Sequence, residues 1–161
     1  MINKVMQKMI NFYENDPRRI QHFIKVHSFA RYIGISEDIP TKTLEILEIT
    51  ALVHDIGIKP AEAKFGNCNG KLQEEYGPFE AETILSELGF DKKIIDRVCF
   101  LVGHHHTYDN ISGDDYQILV EADFLVNFYE DNSNIYSINH VKNEIFKTTT
   151  GINLVETMFL K

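Results

Sequence analysis

Several features that would assign a protein to a broad class are missing from this sequence. No apolar run approaches the roughly eighteen residues of a membrane-spanning helix, and the N-terminus lacks the apolar region and cleavage site of a secretory signal. The two cysteines, Cys68 and Cys99, are too few for a disulfide scaffold and form no CxxC pair. We therefore expect a cytoplasmic protein that does not contact a membrane.

Positive charge is also in short supply. The chain has 16 lysines and arginines against 24 acidic residues, a net charge of −8. This balance argues against nucleic acid held by a broad basic surface. P-loop, GxGxxG and Ser-His-Asp patterns are absent as well, so the usual sequence signs of nucleotide cradles and serine hydrolases are missing.

What the chain does contain is helical periodicity. Its 161 residues suit one domain, and apolar residues recur at spacings of three and four without the alternation of a strand pair. The sequence predicts an all-α, single-domain helical bundle of seven to nine helices, and a homodimer is compatible with it. The helices expected to surround one site are 18–35, 41–57, 92–104 and 116–130, and C-terminal helices follow over 134–148 and 151–160.

The segment 58–77 interrupts this pattern. It contains three glycines and reads as a long polar loop, with at most a short helix over 60–65. Because it follows the residues AlaLeuValHisAspIleGly at 51–57, we expect it to begin beside any site there and to control access to that site. Its lysines, Lys59 and Lys71, are candidates for binding a phosphate group. Arg18 and Arg19 are weaker candidates, expected on the surface with His22 and His140.

Histidines and acids occur where the apolar stripes require hydrophobic residues. Each of these positions falls on a different predicted helix or helix end. They are His27, His54 with Asp55, His104 or His105, and Asp123. One such histidine is usually a satisfied core residue. Several metal-ligand types in core positions are better explained by a shared cation, because a buried carboxylate without a partner is costly.

The donor types restrict the cation only broadly. Nitrogen and oxygen ligands without a thiolate suit Mn, Fe, Ni, Zn or Mg, and the sequence does not choose among these divalent ions. Such an ion lowers the pKa of bound water and neutralises charge on a phosphate ester. The sequence therefore predicts chemistry on phosphate.

The order His27, His54-Asp55, Asp123 resembles the H…HD…D pattern of HD-domain metal-dependent phosphohydrolases. The resemblance covers about 18–127 and includes RIQHFIKVHSFA, ALVHDIG, VGHHHTY and VEADFLVN, which look like a bacterial branch of that superfamily. It implies that these four residues hold the primary metal and that Asp55 positions the attacking water.

The chain departs from the pattern of the two-metal branches, which carry a further histidine shortly before a glycine. The matching position here is Gln73, followed by Glu74, which could replace it as a ligand. The later doublet is present as His104-His105. These four residues are candidates for a second ion or the substrate, the doublet also for holding the leaving oxygen, and His106 is expected outside the ligand shell.

The function expected from the sequence is hydrolysis of a small phosphorylated metabolite, with a nucleotide favoured. Two alternatives remain open. The same fold can hold a di-iron centre that activates oxygen, although Gln73 argues against it. A sensor that binds a nucleotide or metal without catalysis is the other, although no attached domain is present for it to regulate.

Overall fold

Nine α-helices and no β-strand form the protein in a computed structural model that describes residues 1–161. The all-α prediction is confirmed. The helices are α1 (Ile2–Phe12), α2 (Pro17–Ser36), α3 (Thr41–Val53), α4 (Ile58–Phe65), α5 (Gly70–Glu87), α6 (Lys92–Val102), α7 (Asp114–Glu130), α8 (Ile135–Ile145) and α9 (Thr149–Phe159). None of them combines the length and apolar character needed to cross a membrane.

Helix α7 lies at the centre of the bundle and packs against α2, α3 and α9. Eleven of its residues are buried, and among them are Leu119, Ala122 and Leu125, which are fully inaccessible. A helix that is buried on most sides must be apolar on most sides. The acids Glu121 and Asp123 therefore need compensating partners.

Glu121 finds its partners within the fold. Its carboxylate accepts hydrogen bonds from Gln117, from the backbone N–H groups of Lys147 and Thr148, and from the Thr148 hydroxyl. These bonds fix the connection between α8 and α9. A fully buried acid is thus explained here without a ligand.

Helix α2 begins with a capped first turn, close to the start of the predicted helix 18–35. Asp16 caps the helix by accepting a hydrogen bond from the backbone N–H of Arg19 at 3.1 Å, and Pro17 is the first helical residue. Proline suits this position because its missing N–H would have no helical partner. The cap fixes the register of α2 and so the side of the helix on which His22 lies.

Helix α3 is shorter than the predicted 41–57. It ends at Val53, and His54–Gly57 form a turn that leads into α4. The Tyr13 hydroxyl donates a 2.7 Å hydrogen bond to the Asp55 carbonyl, which ties this turn to the end of α1. Because the turn leaves the helical register, His54 and Asp55 can approach one point together.

The prediction of a loop over 58–77 is wrong. Helix α4 and the first half of α5 occupy most of this segment, and only residues 66–69 connect them. Gly66 ends α4 in the left-handed conformation, at φ 70°, and the Asn69 side chain caps α5 by accepting from the Leu72 N–H. Gly66, Asn69 and Gly70 mark helix boundaries rather than a flexible cover.

Gly57 permits the close approach of this turn to α5. A Cβ atom there would lie 2.5 Å from the Gln73 carbonyl oxygen and 2.8 Å from the Gly77 nitrogen. Its φ of −69° is ordinary, so space rather than backbone conformation requires glycine. Gly57 therefore has a packing role in the turn between α3 and α4.

We expect Gly57→Ala to lower the free energy of unfolding by about 1–3 kcal/mol, because the turn must move away from α5. Urea denaturation would measure the change. Gly66→Asn is the matched control, since nothing lies within 4 Å of that position and asparagine tolerates positive φ; its effect should stay within about 0.5 kcal/mol. A Gly57→Ala protein as stable as its parent would contradict the packing role.

Candidate metal centre

Four side chains converge where α2, α7 and the turn after α3 meet. The His22 Nε2 atom lies 3.3 Å from His54 Nε2, 3.3 Å from Asp55 Oδ2 and 3.2 Å from Asp123 Oδ1. His54 Nε2 is 3.4 Å from Asp55 Oδ2 and 3.6 Å from Asp123 Oδ1. Two imidazole nitrogens and two carboxylates thus surround one point.

The hydrogen bonds behind the imidazoles fix which nitrogen faces that point. His54 donates from Nδ1 to the Ala51 carbonyl at 2.9 Å, and His22 donates from Nδ1 to Glu130 Oε2 at 2.9 Å. In the neutral ring the other nitrogen, Nε2, then carries a lone pair. A carboxylate or carbonyl that orients a histidine from behind is characteristic of metal-binding histidines.

A third imidazole points to the same region. His105 is 1% exposed and donates from Nδ1 to the Val102 carbonyl at 2.7 Å. Its Nε2 is buried and has no hydrogen-bond partner, although it lies 3.4 Å from Asp55 Oδ1. A buried polar atom without a partner is costly, and a bound cation or the water around it would satisfy this atom.

The electrostatics favour positive charge at this point. Burial opposes ionisation of Asp55 and Asp123, but the neighbouring histidines outweigh it and hold the pKa of both carboxyls below the usual range. Burial likewise opposes charge on His22, yet its hydrogen bond to Asp123 and the nearby carboxylates raise its pKa to about 9. The donor set and its charge therefore fit a divalent cation.

A second group of ligand types adjoins the first. Asp55, His105 and His106 also bring ligand atoms close together, and Asp55 contacts both groups, since its Oδ2 lies near His22 and His54. However, the His106 Nε2 lies 2.9 Å from Gln73 Oε1, while the Gln73 amide nitrogen donates to the Cys68 carbonyl at 2.7 Å. This arrangement makes His106 Nε2 the donor to Gln73, so that nitrogen is not free to bind an ion.

The structure corrects the predicted ligand His27. Its Nε2 lies 3.0 Å from Glu48 Oε1, and Arg31 contacts the other oxygen of Glu48, so His27 belongs to a separate cluster between α2 and α3. His22, which the sequence interpretation placed on the surface, occupies the site instead. The sequence does contain a sign of this position. His22, Val26 and Ala30 follow each other at a spacing of four residues, so they share one face of α2, and this face is buried.

The histidine run after α6 is also arranged differently from the prediction. His105 faces the site, as the apolar stripe of α6 predicts. His104 turns away, stacks on Phe100 and bonds the Phe100 carbonyl through Nδ1. His106, expected outside, lines the site cavity. The helix ends at Val102, and the following turn rotates these side chains away from the helical register.

Glu74 has a structural role rather than that of a ligand. Its Oε1 accepts hydrogen bonds from the His106 backbone N–H and the Thr107 hydroxyl, both at 2.9 Å. It thereby ties α5 to the turn that carries His105. Gln73 does line the cavity, but through its hydrogen bond to His106.

Neither predicted phosphate-binding lysine reaches the site. Lys59 donates to the Phe12 carbonyl at 2.7 Å and lies over the Phe12 ring, and Lys71 is exposed and does not line the cavity. The positive charges at the mouth are Arg18 and Arg19. Arg19 is paired with Asp16 and Glu62, whereas Arg18 makes no ion pair or hydrogen bond through its side chain.

Three of the four converging side chains, those of His22, Asp55 and Asp123, form the floor of an open cavity of about 370 Å³, and His54 is fully buried beside them. Its lining consists of 13 residues, of which 2 are hydrophobic. The volume is within the range of sites for small molecules, ~300–1,000 Å³. A cation bound at the floor would thus be accessible to a small polar ligand.

The two histidines of α2 offer a matched test of the ligand set. We expect His22→Gln to lower the affinity for divalent metal by about tenfold or more, because a ligand nitrogen is lost. His27→Gln should retain the metal, since it keeps a donor near Glu48 and lies outside the cluster. Metal content after dialysis would measure both; loss in His27→Gln with retention in His22→Gln would reverse the assignment.

Comparison with known proteins places this geometry in a family. No curated protein matches the chain at a significant level. Among solved structures, it is similar to one from an uncultured Thermotogales bacterium described as a predicted HD superfamily hydrolase, with 26% identity, a TM-score of 0.70, and coverage of 98% of this chain and 84% of that chain. The family model described as HD domain matches residues 19–138, well over half of the sequence. The chain therefore belongs to the HD domain family.

Proposed function

We propose that this protein is a metal-dependent phosphohydrolase that acts on a small phosphorylated metabolite. The observation that carries the proposal is the convergence of four nitrogen and oxygen ligands, three of which line a cavity whose mouth holds Arg18. The similar Thermotogales structure, described as a predicted hydrolase, supports the hydrolytic part.

The proposed reaction is the cleavage of a phosphate ester by water. The bond between phosphorus and the ester oxygen breaks, water supplies the new oxygen on phosphorus, and one of its protons passes to the leaving alcohol. A divalent cation, when bound, supplies charge neutralisation on the phosphate and lowers the pKa of water. His22, His54, Asp55 and Asp123 are the residues that would hold it.

The chain's own groups prepare the attack. Asp55 directs Oδ2 toward His22 and His54 and Oδ1 toward His105, so its carboxylate can orient a water molecule between these groups. The His105 Nε2 carries a lone pair because Nδ1 donates to the Val102 carbonyl. This nitrogen can accept a hydrogen bond from the attacking water. Burial is the main cause that lowers the pKa of His106 to about 4, so that imidazole is neutral at pH 7.

We infer one cation rather than two. A second ion would need ligand atoms from Asp55, His105 and His106. The Nε2 atom of His106 already donates a hydrogen bond to Gln73. The same hydrogen bond disfavours the oxygen-activating di-iron alternative, which requires two fully ligated irons. Hydrolysis at a single ion therefore has more support from this geometry.

Metal reconstitution with a panel of phosphorylated compounds tests the proposed function. Chelator-treated protein would be reloaded separately with Mn, Fe, Ni, Zn and Mg and assayed for phosphate release from phosphomonoesters, nucleotides and pyrophosphates. We expect release that depends on the ion and is lost in Asp55→Ala, which should keep its helix content by circular dichroism but not its metal. Failure of every ion to give phosphate release would contradict the proposal.

Arg18 provides the counter-charge for the substrate in this proposal. We expect Arg18→Ala to raise KM by about tenfold with a smaller effect on kcat, because a contact made in both ground and transition states is lost. Lys71→Ala removes an exposed charge that does not line the cavity and should change neither constant. Steady-state kinetics with the same substrate would compare them; equal effects would show that only general charge attraction is involved.

A further inference from the structure

The wall of the site cavity has a chemical character that bears on the substrate. Apart from the ligands at the floor, charged and amide side chains dominate it, and Ile58 is the main apolar contribution. No phenylalanine or tyrosine lines the cavity. The nearby aromatic rings are engaged elsewhere, since Tyr108 packs on Phe124 with centroids 5.2 Å apart.

This lining offers little to a nucleobase. Bases bind proteins largely by stacking on aromatic side chains or lying against apolar surface. In this cavity a base would instead face ionised and amide groups and would lose hydration without a compensating contact. A nucleotide could place its phosphate at the floor only with its base outside the cavity or poorly matched inside it.

Two groups on the wall are free to accept hydrogen bonds from a ligand. The Asn127 amide nitrogen donates to Asp123 Oδ1 at 3.0 Å, which leaves its carbonyl oxygen without a protein partner. The Asp131 carboxylate, at the end of α7, makes no ion pair or hydrogen bond and lines the cavity. Acceptors in this position suit hydroxyl groups, which are donors with flexible geometry.

From these contacts we propose that the substrate is a phosphorylated sugar or polyol rather than a nucleotide. The proposal rests on the phosphohydrolase function and names its substrate class. The phosphate lies between the floor and the Arg18 guanidinium, and the hydroxyl groups face Asn127 and Asp131. Asp55 lines the cavity and lies 3.4 Å from the buried, unpartnered Nε2 atom of His105, so the reacting phosphate lies at this end of the cavity.

Ribose 5-phosphate and adenosine 5′-monophosphate form a matched pair for the test. They share the phosphate ester and the pentose, and they differ in whether the ring bears a hydroxyl group or a base. With the metal-loaded protein, we expect kcat/KM for ribose 5-phosphate to exceed that for the nucleotide by about tenfold or more. Equal or better turnover of the nucleotide would overturn the substrate class while leaving the phosphohydrolase function intact.

Asp131→Ala then tests the hydroxyl contact. We expect KM for ribose 5-phosphate to rise by about fivefold or more, while KM for n-propyl phosphate, which has the ester but no hydroxyl, stays the same or falls because a repelling charge is gone. Glu144→Ala, on the exposed side of α8, is the control and should change neither. A fall in KM for both compounds in Asp131→Ala would show that Asp131 only repels phosphate and would overturn the contact.

Different results would contradict the phosphohydrolase function and the substrate class. Phosphate release from no compound, with the metal bound, would contradict the hydrolase function and the substrate class together. Release from nucleotides but not from sugar or polyol phosphates would contradict the substrate class alone. Release from both at equal efficiency would show that the lining of the cavity does not select the substrate.

Discussion

Two buried carboxylates, Asp55 and Asp123, share a small volume with the Nε2 atoms of His22 and His54. Carboxylates placed this close repel each other and lose hydration, so they require positive charge between or beside them. The histidines supply part of that charge, as the raised pKa of His22 shows. A divalent cation supplies it more fully, because the imidazoles can then present lone pairs rather than protons.

The rest of the fold holds this arrangement in place. Backbone carbonyls and Glu130 fix the histidine rings from behind, and the Tyr13 hydroxyl fixes the turn that carries Asp55. Gly57 lets that turn approach α5, and Glu74 of α5 in turn fixes the residues after α6. The four residues come from α2, α7 and the turn after α3, and each is attached to the scaffold by a hydrogen bond at a defined atom. Such attachment is what keeps a metal site at the required geometry.

The helical class, the single domain and most of the site could be predicted from the sequence because they depend on local periodicity. His54, Asp55, His105 and Asp123 interrupt apolar stripes, and the structure places all four in the site. His22 was missed because His27 shares an apolar face of α2 with Ile20, Phe23 and Ile24, whereas His22 lies on the adjacent face with Val26 and Ala30. Burial of a helix depends on which neighbours cover it, and two stripes on one helix look alike until those neighbours are known.

The roles of Lys59, Glu74 and His104 were unpredictable for a related reason. Lys59 and Glu74 have partners far away in sequence, the Phe12 carbonyl and the N–H of His106, and the turn after α6 places His104 on the ring of Phe100. The segment 58–77 was predicted as a loop because its glycines resemble helix breakers. One of them, Gly77, instead lies inside α5 and serves the contact with Gly57 of the preceding turn. Residue type alone does not separate these two uses of glycine.

Anomalous diffraction from crystals grown with a divalent transition metal would test most directly whether the four converging residues bind a cation. We expect one strong peak at about 2.0–2.4 Å from the Nε2 atoms of His22 and His54 and from carboxylate oxygens of Asp55 and Asp123. A peak between His27 and Glu48, or no peak at the four converging residues at saturating metal, would contradict it.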